Sequence, residues 1–221
     1  MAEPVKGKTE AGRRREQRAH QTRTRICEAA LRLFRERGYV ATTVEAVAAE
    51  AGVAPATVYQ AFGSKQGLLA RALDATITGD VAPVPLLDRD WVSAARRQRS
   101  PRRRLAAVVR GAAQVAAQTA ALKDVMRDAA ATDPSVRTLI HTDHARRRET
   151  QRALVQIAVG ADELRPGLSL DSAADTFFLL VNSSSYRLAT DMLGWSDDGW
   201  QRWLVDVLTR EFFGDTRTDG R

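Results

Sequence analysis

The sequence predicts an all-α chain of about nine helices, a small amino-terminal unit followed by a longer helical body. Three observations carry this. Apolar residues recur at i, i+3, i+4 and i+7 in one segment after another, and the alternation of a half-buried strand is absent. Helix starts and stops punctuate those segments: Asp133-Pro134, Gly160, Pro166-Gly167, Asp171, Gly194 and Gly214. Between Thr42 and Lys65 the run TTVEAVAAEAGVAPATVYQAFGSK reads as two short helices joined by a tight turn, a helix-turn-helix.

From the amino terminus, residues 1–19 are polar, with an Arg13-Arg14-Arg15 cluster and almost no aliphatic residues, so a disordered tail is expected. It reads equally as an arm that follows phosphates or enters a minor groove and as a solubilising extension. Residues 20–40 form the first helix, with Ile26, Ala30, Leu33, Phe34 and Arg37 at helical spacing and Gly38 as its stop. Thr42 with Glu45 three positions on is a capping-box pattern, so a second helix starts there. Val44, Val47, Ala48 and Ala51 give it one apolar face, Gly52 ends it in the left-handed conformation, and Val53 turns back to the core.

Pro55 suits the first position of a third helix, where a missing N–H costs nothing. Val58 and Phe62, four apart, are its buried anchors, which turns Ala56, Thr57, Tyr59 and Gln60 outward. A short helix with small and hydrogen-bonding residues on its outer face suggests a recognition helix. Ser64 caps a fourth helix through Leu68, Leu69, Ala72, Leu73 and Ile77, which leads out of the small unit and into the body.

Residues 79–101 hold Gly79, Pro83, Pro85 and Pro101 and read as a loop or broken helix. Five Ala-, Leu- and Val-rich helical segments follow at 102–119, 121–131, 135–159, 171–193 and 197–213. The chain thus divides into a tail (1–19), a helix-turn-helix domain (20–66), a helical body (67–213) and a carboxy-terminal tail (214–221). The run Arg96 to Arg104 sits at a proline break and reads as a solvated helix start or loop, and Arg146-Arg147-Arg148 as one turn of an exposed helix face.

Charge agrees with a nucleic-acid partner. The net charge is +7, and residues 1–70 hold 12 Lys and Arg against 7 acidic residues while the remainder holds 22 against 20. A basic end beside a nearly balanced remainder is the electrostatic footprint of a DNA-reading unit. The single cysteine, Cys27, excludes an intramolecular disulfide framework and reads as a small buried apolar residue in a reducing cytoplasm. No apolar run approaches 18 residues and the amino terminus lacks a signal-peptide hydrophobic region, so the expectation is a soluble cytoplasmic protein without a membrane partner. His141 and His144 flank Asp143 at i, i+3, yet two imidazoles without further donors make no metal site. With no G-x-S-x-G, Walker loop or G-x-G-x-x-G, the chain reads as neither an enzyme nor a cofactor carrier.

The run from Phe34 to Leu69, FRERGYVATTVEAVAAEAGVAPATVYQAFGSKQGLL, resembles the DNA-binding domain of TetR-type transcriptional regulators. The matching residues are Phe34, Gly38, Tyr39, Thr42, Thr43, Val44, Ala51, Gly52, Val53, Thr57, Tyr59, Phe62 and Lys65. Two positions depart from the common pattern: Ala56, where many relatives have glycine, and Ala61, where many have an aromatic residue or histidine.

The resemblance implies a homodimeric regulator of double-stranded DNA carrying a palindromic operator, most often a repressor released by a small molecule in its body. Phosphate contacts then fall to Thr42, Thr43, Thr57, Tyr59 and Lys65, through hydroxyls, helix-start N–H groups and one ammonium. Base edges fall to Pro55, Ala56 and Gln60, since Gln can bond adenine bidentately while Ala and Pro touch a thymine methyl. The last two helices carry more apolar and aromatic surface than an internal core needs, and Phe177, Val181, Trp200, Trp203, Leu204 and Val207 are the expected dimer contacts. A largely apolar effector pocket is expected among the middle helices, lined by Met126, His141, Phe178, Asn182 and Tyr186. The competing reading is a ligand-independent DNA-binding or partner-binding helical protein with the same head.

Overall fold

The computed structural model of the chain describes residues 10–78, 85–160 and 164–214. Among these every regular element is helical. They fall into two compact units, residues 10–75 and residues 76–78 with 85–214.

In the first unit, α1 (Glu10–Ala41) begins well before the expected residue 20. Residues 10–19 of the expected disordered tail are helical, and residues 1–9 lie outside the described residues. No proline or β-branched residue interrupts Glu10 to His20, and Glu10 accepts from Arg14 one turn on at 2.6 Å. From Ile26 onward the helix acquires a buried stripe of Ile26, Cys27, Ala29, Ala30, Leu33 and Phe34. Burial pushes the Cys27 thiol up to about 11, so it is a packing residue with little thiolate. Gly38 (φ 74, ψ 172) breaks the helical path where the stop was expected, and Phe34 packs on Tyr39 with ring centroids 5.7 Å apart. The short helices α2 (Val44–Ala51), α3 (Pro55–Phe62) and α4 (Lys65–Thr78) complete the unit. Most of α4 belongs to this unit, with Leu68, Leu69, Ala72 and Leu73 fully buried.

The second unit opens with a 3-10 turn (Leu86–Asp88) and α5 (Asp90–Arg96), short helical pieces in the stretch read as a loop or broken helix. Val92 and Ala95 of α5 are buried, and α5 packs against α6. The two segments expected at 102–119 and 121–131 are one helix, α6 (Pro101–Ala130). Nothing in Gln118-Thr119-Ala120-Ala121 stops a helix, and Thr119 satisfies its hydroxyl internally by donating to Val115 O at 2.8 Å. By length and composition α6 is the one described helix apolar enough to cross a bilayer. Its buried residues Leu105, Val108, Val109 and Ala113 instead make it the spine of the body, packed on by α5, α7 (Pro134–Val159), α9 (Ser183–Arg187) and α10 (Asp197–Phe213).

The arginine run spans the end of α5 and the first turn of α6, the expected helix start, and two of its members close other helices. Ser100 caps α6 by accepting from Arg103 N, Arg104 Nε donates to Ala158 O near the end of α7, and Arg102 donates to Gly214 O at the end of α10. Cations placed there satisfy free carbonyls and oppose the helix dipole.

The segment expected as one helix over 171–193 is broken. α8 (Leu170–Leu180) ends at Val181 (φ −93, ψ 77), α9 follows, and a π turn runs from Leu188 to Met192. Asn182 causes the restart: its Oδ1 accepts from Ser184 N and Ser185 N at 2.9 and 3.0 Å, an N-cap that the following serines do not oppose. The added α5 and the split at Asn182, less the merger into α6, bring the count to ten α-helices among the described residues.

The expectation that the last helices hold a surplus of apolar surface needs correcting in its particulars. Phe177, Val181, Trp200 and Leu204 are at most 1% exposed within a single chain, in one core with Leu208 and Phe212. They are sealed inside the protomer and cannot face a partner. Trp203, at 37% exposed, and half-buried Val207 keep outward surface.

Candidate nucleic-acid interface

The interface is built on a latch at the end of α1. Thr42, expected as a phosphate contact, is wholly buried: its hydroxyl donates to Gly38 O at 2.8 Å and lies 3.1 Å from Leu33 O. It gives two backbone carbonyls around the Gly38 break a side-chain donor, and a phosphate has no access to it. The cap of α2 falls one residue later than the pattern suggested. Thr43 is exposed and its Oγ1 accepts from Ala46 N at 3.1 Å. Outside this cap, Arg32 of α1 and Glu50 of α2 pair at 2.7 Å.

The turn follows the sequence reading. Val44, Val47, Ala48 and Ala51 are buried. Gly52 takes φ 64, ψ 43, and Val53 N donates to Ala48 O at 3.0 Å, so the chain reverses with its carbonyls satisfied. Only glycine takes that conformation at little cost. Pro55 is then the first residue of α3, Val58 is 1% exposed and Phe62 is half-buried. Around the opposite side, Ala56, Tyr59 and Gln60 are exposed, as expected, together with Pro55, while Thr57, expected outward, is half-buried. Tyr59 keeps 47% of its surface open.

Two features favour an anion at the start of α3. Ala54, its N-cap, supplies no side-chain cap bond, and the first turn carries no acidic residue. Pro55 has no N–H and Thr57 N already donates to Ala54 O at 2.9 Å, which leaves the Ala56 N–H as the leading donor, not screened by a carboxylate or hydroxyl.

The exit from α3 is close-packed. Ser64 caps α4 by accepting from Gly67 N at 3.0 Å, as expected. A Cβ on Gly67 would fall 2.1 Å from Phe62 O, so only glycine lets α4 approach the end of α3 this closely. Lys65 Nζ donates to Val40 O at 3.3 Å and stands 4.1 Å from the centroid of the Tyr39 ring. Its ammonium is thus held at the junction of α1 and α4, a role that no local pattern announces because the partners are 25 and 26 residues away in sequence. Also missed was the reach of the basic surface along α1, where Arg14, Arg15, Arg18, Arg23 and Arg25 are all exposed.

The five residues expected to line an effector pocket do not share one environment. Met126 is 1% exposed in the body. His141 is exposed on α7, and Asn182 is spent as the α9 cap. Tyr186 donates its hydroxyl to Asp197 Oδ1 at 2.9 Å and packs edge-on to Trp200. Phe178 meets His144, with centroids 6.3 Å apart, and lies under the Arg147 guanidinium.

A helix-turn-helix with an exposed short second helix, followed by a separate helical body, defines a DNA-binding transcriptional regulator. Comparison with known proteins makes this specific. The profile of bacterial regulatory proteins of the tetR family matches residues 26–72. HTH-type transcriptional regulators of Mycobacterium bovis and Mycobacterium tuberculosis, themselves uncharacterized, are 35% identical over 187 residues, covering 82% of this chain and 81% of theirs. The chain belongs to the TetR family of transcriptional regulators.

Solved structures agree on the fold. FadR of Bacillus subtilis in complex with stearoyl-CoA has a TM-score of 0.65 at 17% identity, covering 83% of this chain and 96% of that one. NalD, the secondary repressor of the MexAB-OprM multidrug efflux pump in Pseudomonas aeruginosa, has a TM-score of 0.65 at 21% identity, covering 90% and 99%.

Proposed function

We propose that the protein is a homodimeric repressor whose two α3 helices enter successive major grooves of a palindromic operator, and that a small molecule in the helical body releases it. The observation that carries the DNA half is the outer face of α3, with Pro55, Ala56, Tyr59 and Gln60 exposed over a buried Val58. Gln60, Ala56 and Pro55 meet base edges. The hydroxyls of Thr43, Thr57 and Tyr59, the Ala56 N–H at the start of α3 and the Lys65 ammonium meet phosphates. The arginines along the first turns of α1 extend the phosphate footprint.

The dimer is assigned to what the body leaves open. Leu179, Leu188, Met192, Leu193, Trp195 and Trp203 are between 37% and 76% exposed, and Trp195 packs on Trp203 at 5.7 Å. Large exposed apolar residues this dense mark an association surface, and a two-fold pair presents two α3 helices to two half-sites. The ligand half is supported by fold neighbours that include a regulator solved with stearoyl-CoA and the repressor of an efflux pump. α4 contributes residues to both compact units, which makes it the lever by which a change in the body reaches the head.

Capturing sheared genomic DNA with the purified protein and sequencing the bound fragments tests this reading. A shared inverted repeat in promoter DNA, with half-sites about 34–36 Å apart or a multiple of that, is the expected result. Fragments with no common sequence would overturn it.

A further inference from the structure

One charged cluster is used by neither the DNA-reading head nor the apolar core. Asp143, Arg147 and Gln151 stand at i, i+4 and i+8, on one face of α7. Asp143 is 4% exposed, and both of its oxygens are committed: Oδ2 accepts from Lys123 of α6, and Oδ1 lies 3.6 Å from Arg146.

Arg147 is the odd member. The sequence suggested an exposed turn of three arginines, and Arg146 and Arg148 are exposed, but Arg147 turns inward over the Phe178 ring at 3.8 Å from its centroid. Its Nη2 donates to Phe178 O at 3.4 Å, a long contact, and its Nε is buried without a partner. One turn on, Gln151 is 6% exposed; Nε2 donates to Val181 O at 2.9 Å while Oε1 accepts from nothing. The local field is positive: burial, then Arg147 and Lys123, hold the nearby His144 imidazole below its ordinary value.

Buried charges in proteins are normally paired, and an idle buried donor costs stability. Asp143 favours the Arg147 charge as well, but one carboxylate shared among Lys123, Arg146 and Arg147 leaves the guanidinium without a counter-ion of its own. We propose that Arg147, with Lys123 beside it and Gln151 one turn on, binds a small organic carboxylate that also carries a hydroxyl or N–H donor. The planar fork of the guanidinium takes a carboxylate through two parallel hydrogen bonds. Lys123 adds charge, Phe178 supplies an apolar wall, and Gln151 Oε1 accepts the ligand's donor. Cationic ligands are repelled by the same groups. Arg147 and Gln151 also hold carbonyls at the α8–α9 break, Phe178 O and Val181 O, so a ligand that draws Arg147 away acts on that break.

The regulatory consequence rests on the effector-released repressor proposed above; the binding does not, and the test separates the two. Isothermal titration of the full-length protein, without DNA, compares salicylate with neutral salicyl alcohol, which has the same ring and hydroxyl. Salicylate binds at least about tenfold tighter, as expected when a charge-assisted pair is lost with the charge. Arg147→Met removes that preference while the thermal midpoint stays level or rises, because the variant loses an unpaired half-buried cation and keeps the packing on Phe178. Gln151→Leu weakens salicylate more than it weakens benzoate. Equal binding of salicylate and salicyl alcohol by the wild type, or an unchanged salicylate preference in a folded Arg147→Met variant, overturns the site. Salicylate binding that leaves a DNA complex intact would support the site and count against its use as a release switch.

Discussion

At the scale of single residues, the largest reassignment concerns Thr42. Family likeness placed its hydroxyl on a phosphate, but burial and the bonds to Gly38 O and Leu33 O make it a structural latch. Thr42→Val should therefore cost about 1–3 kcal/mol of stability in urea denaturation, because buried carbonyls lose their donor. Operator affinity of the still-folded fraction should be nearly unchanged. A loss of affinity at unchanged stability would restore the phosphate role.

Cys27 makes a different prediction. Its thiol titrates near 11 in the folded chain against 9.0 as the ordinary value. Below pH 9 both folded and unfolded states hold the proton, and this residue's contribution is fully present. As pH rises from about 9 to 11 the unfolded state ionises first, so stability falls, by up to about 1.4 kcal/mol per pH unit. The fall should be shallower in Cys27→Ala over that window, measured by urea midpoints; identical slopes would contradict the assigned burial.

At the scale of elements, the head was legible because its signals are local. Gly52, Pro55, Val58 and Ser64 each act within four residues of themselves, through a left-handed turn, a fixed φ, an i, i+4 pair and a cap. The body was less legible where tertiary contacts decide. α5 forms because Val92 and Ala95 find α6, which a proline-rich stretch does not reveal. The core of α8 and α10 was recognised as apolar, but periodicity cannot say whether Phe177 and Trp200 face their own chain or another.

The break at Asn182 belongs here too. Residues 171–193 are apolar enough to look like one helix, and the cap that divides them wins because Asn182 offers two backbone N–H groups an acceptor. Asn182→Ala should cost about 1 kcal/mol and raise amide hydrogen exchange at Ser184 and Ser185. Unaltered protection at those two amides would show that the break has another cause.

At the scale of the whole molecule, the proposed function depends on a pair of heads held at one separation. The open apolar residues of the α9–α10 region are the means proposed for this, since Phe177, Val181, Trp200 and Leu204 are occupied inside the protomer. Trp203→Asp should yield a folded monomer in sedimentation at low micromolar concentration, because a carboxylate placed in an apolar interface has no partner. Phe177→Asp should unfold the body instead. A dimer that survives Trp203→Asp, together with Leu188→Asp and Met192→Asp made singly, would move the interface elsewhere. Such a monomer should keep only half-site affinity for DNA.

The most direct measurement asks whether α3 reads bases. Selection from a randomised double-stranded DNA library, run with the wild type and with Gln60→Ala, gives the base preference at each operator position. The structure predicts that Gln60→Ala loses a preference at one symmetric pair of positions, with about 1–3 kcal/mol less discrimination there and the rest of the operator unchanged. An unaltered preference at every position, or a uniform loss of affinity with no change in sequence, would contradict the assignment of α3 as the recognition helix.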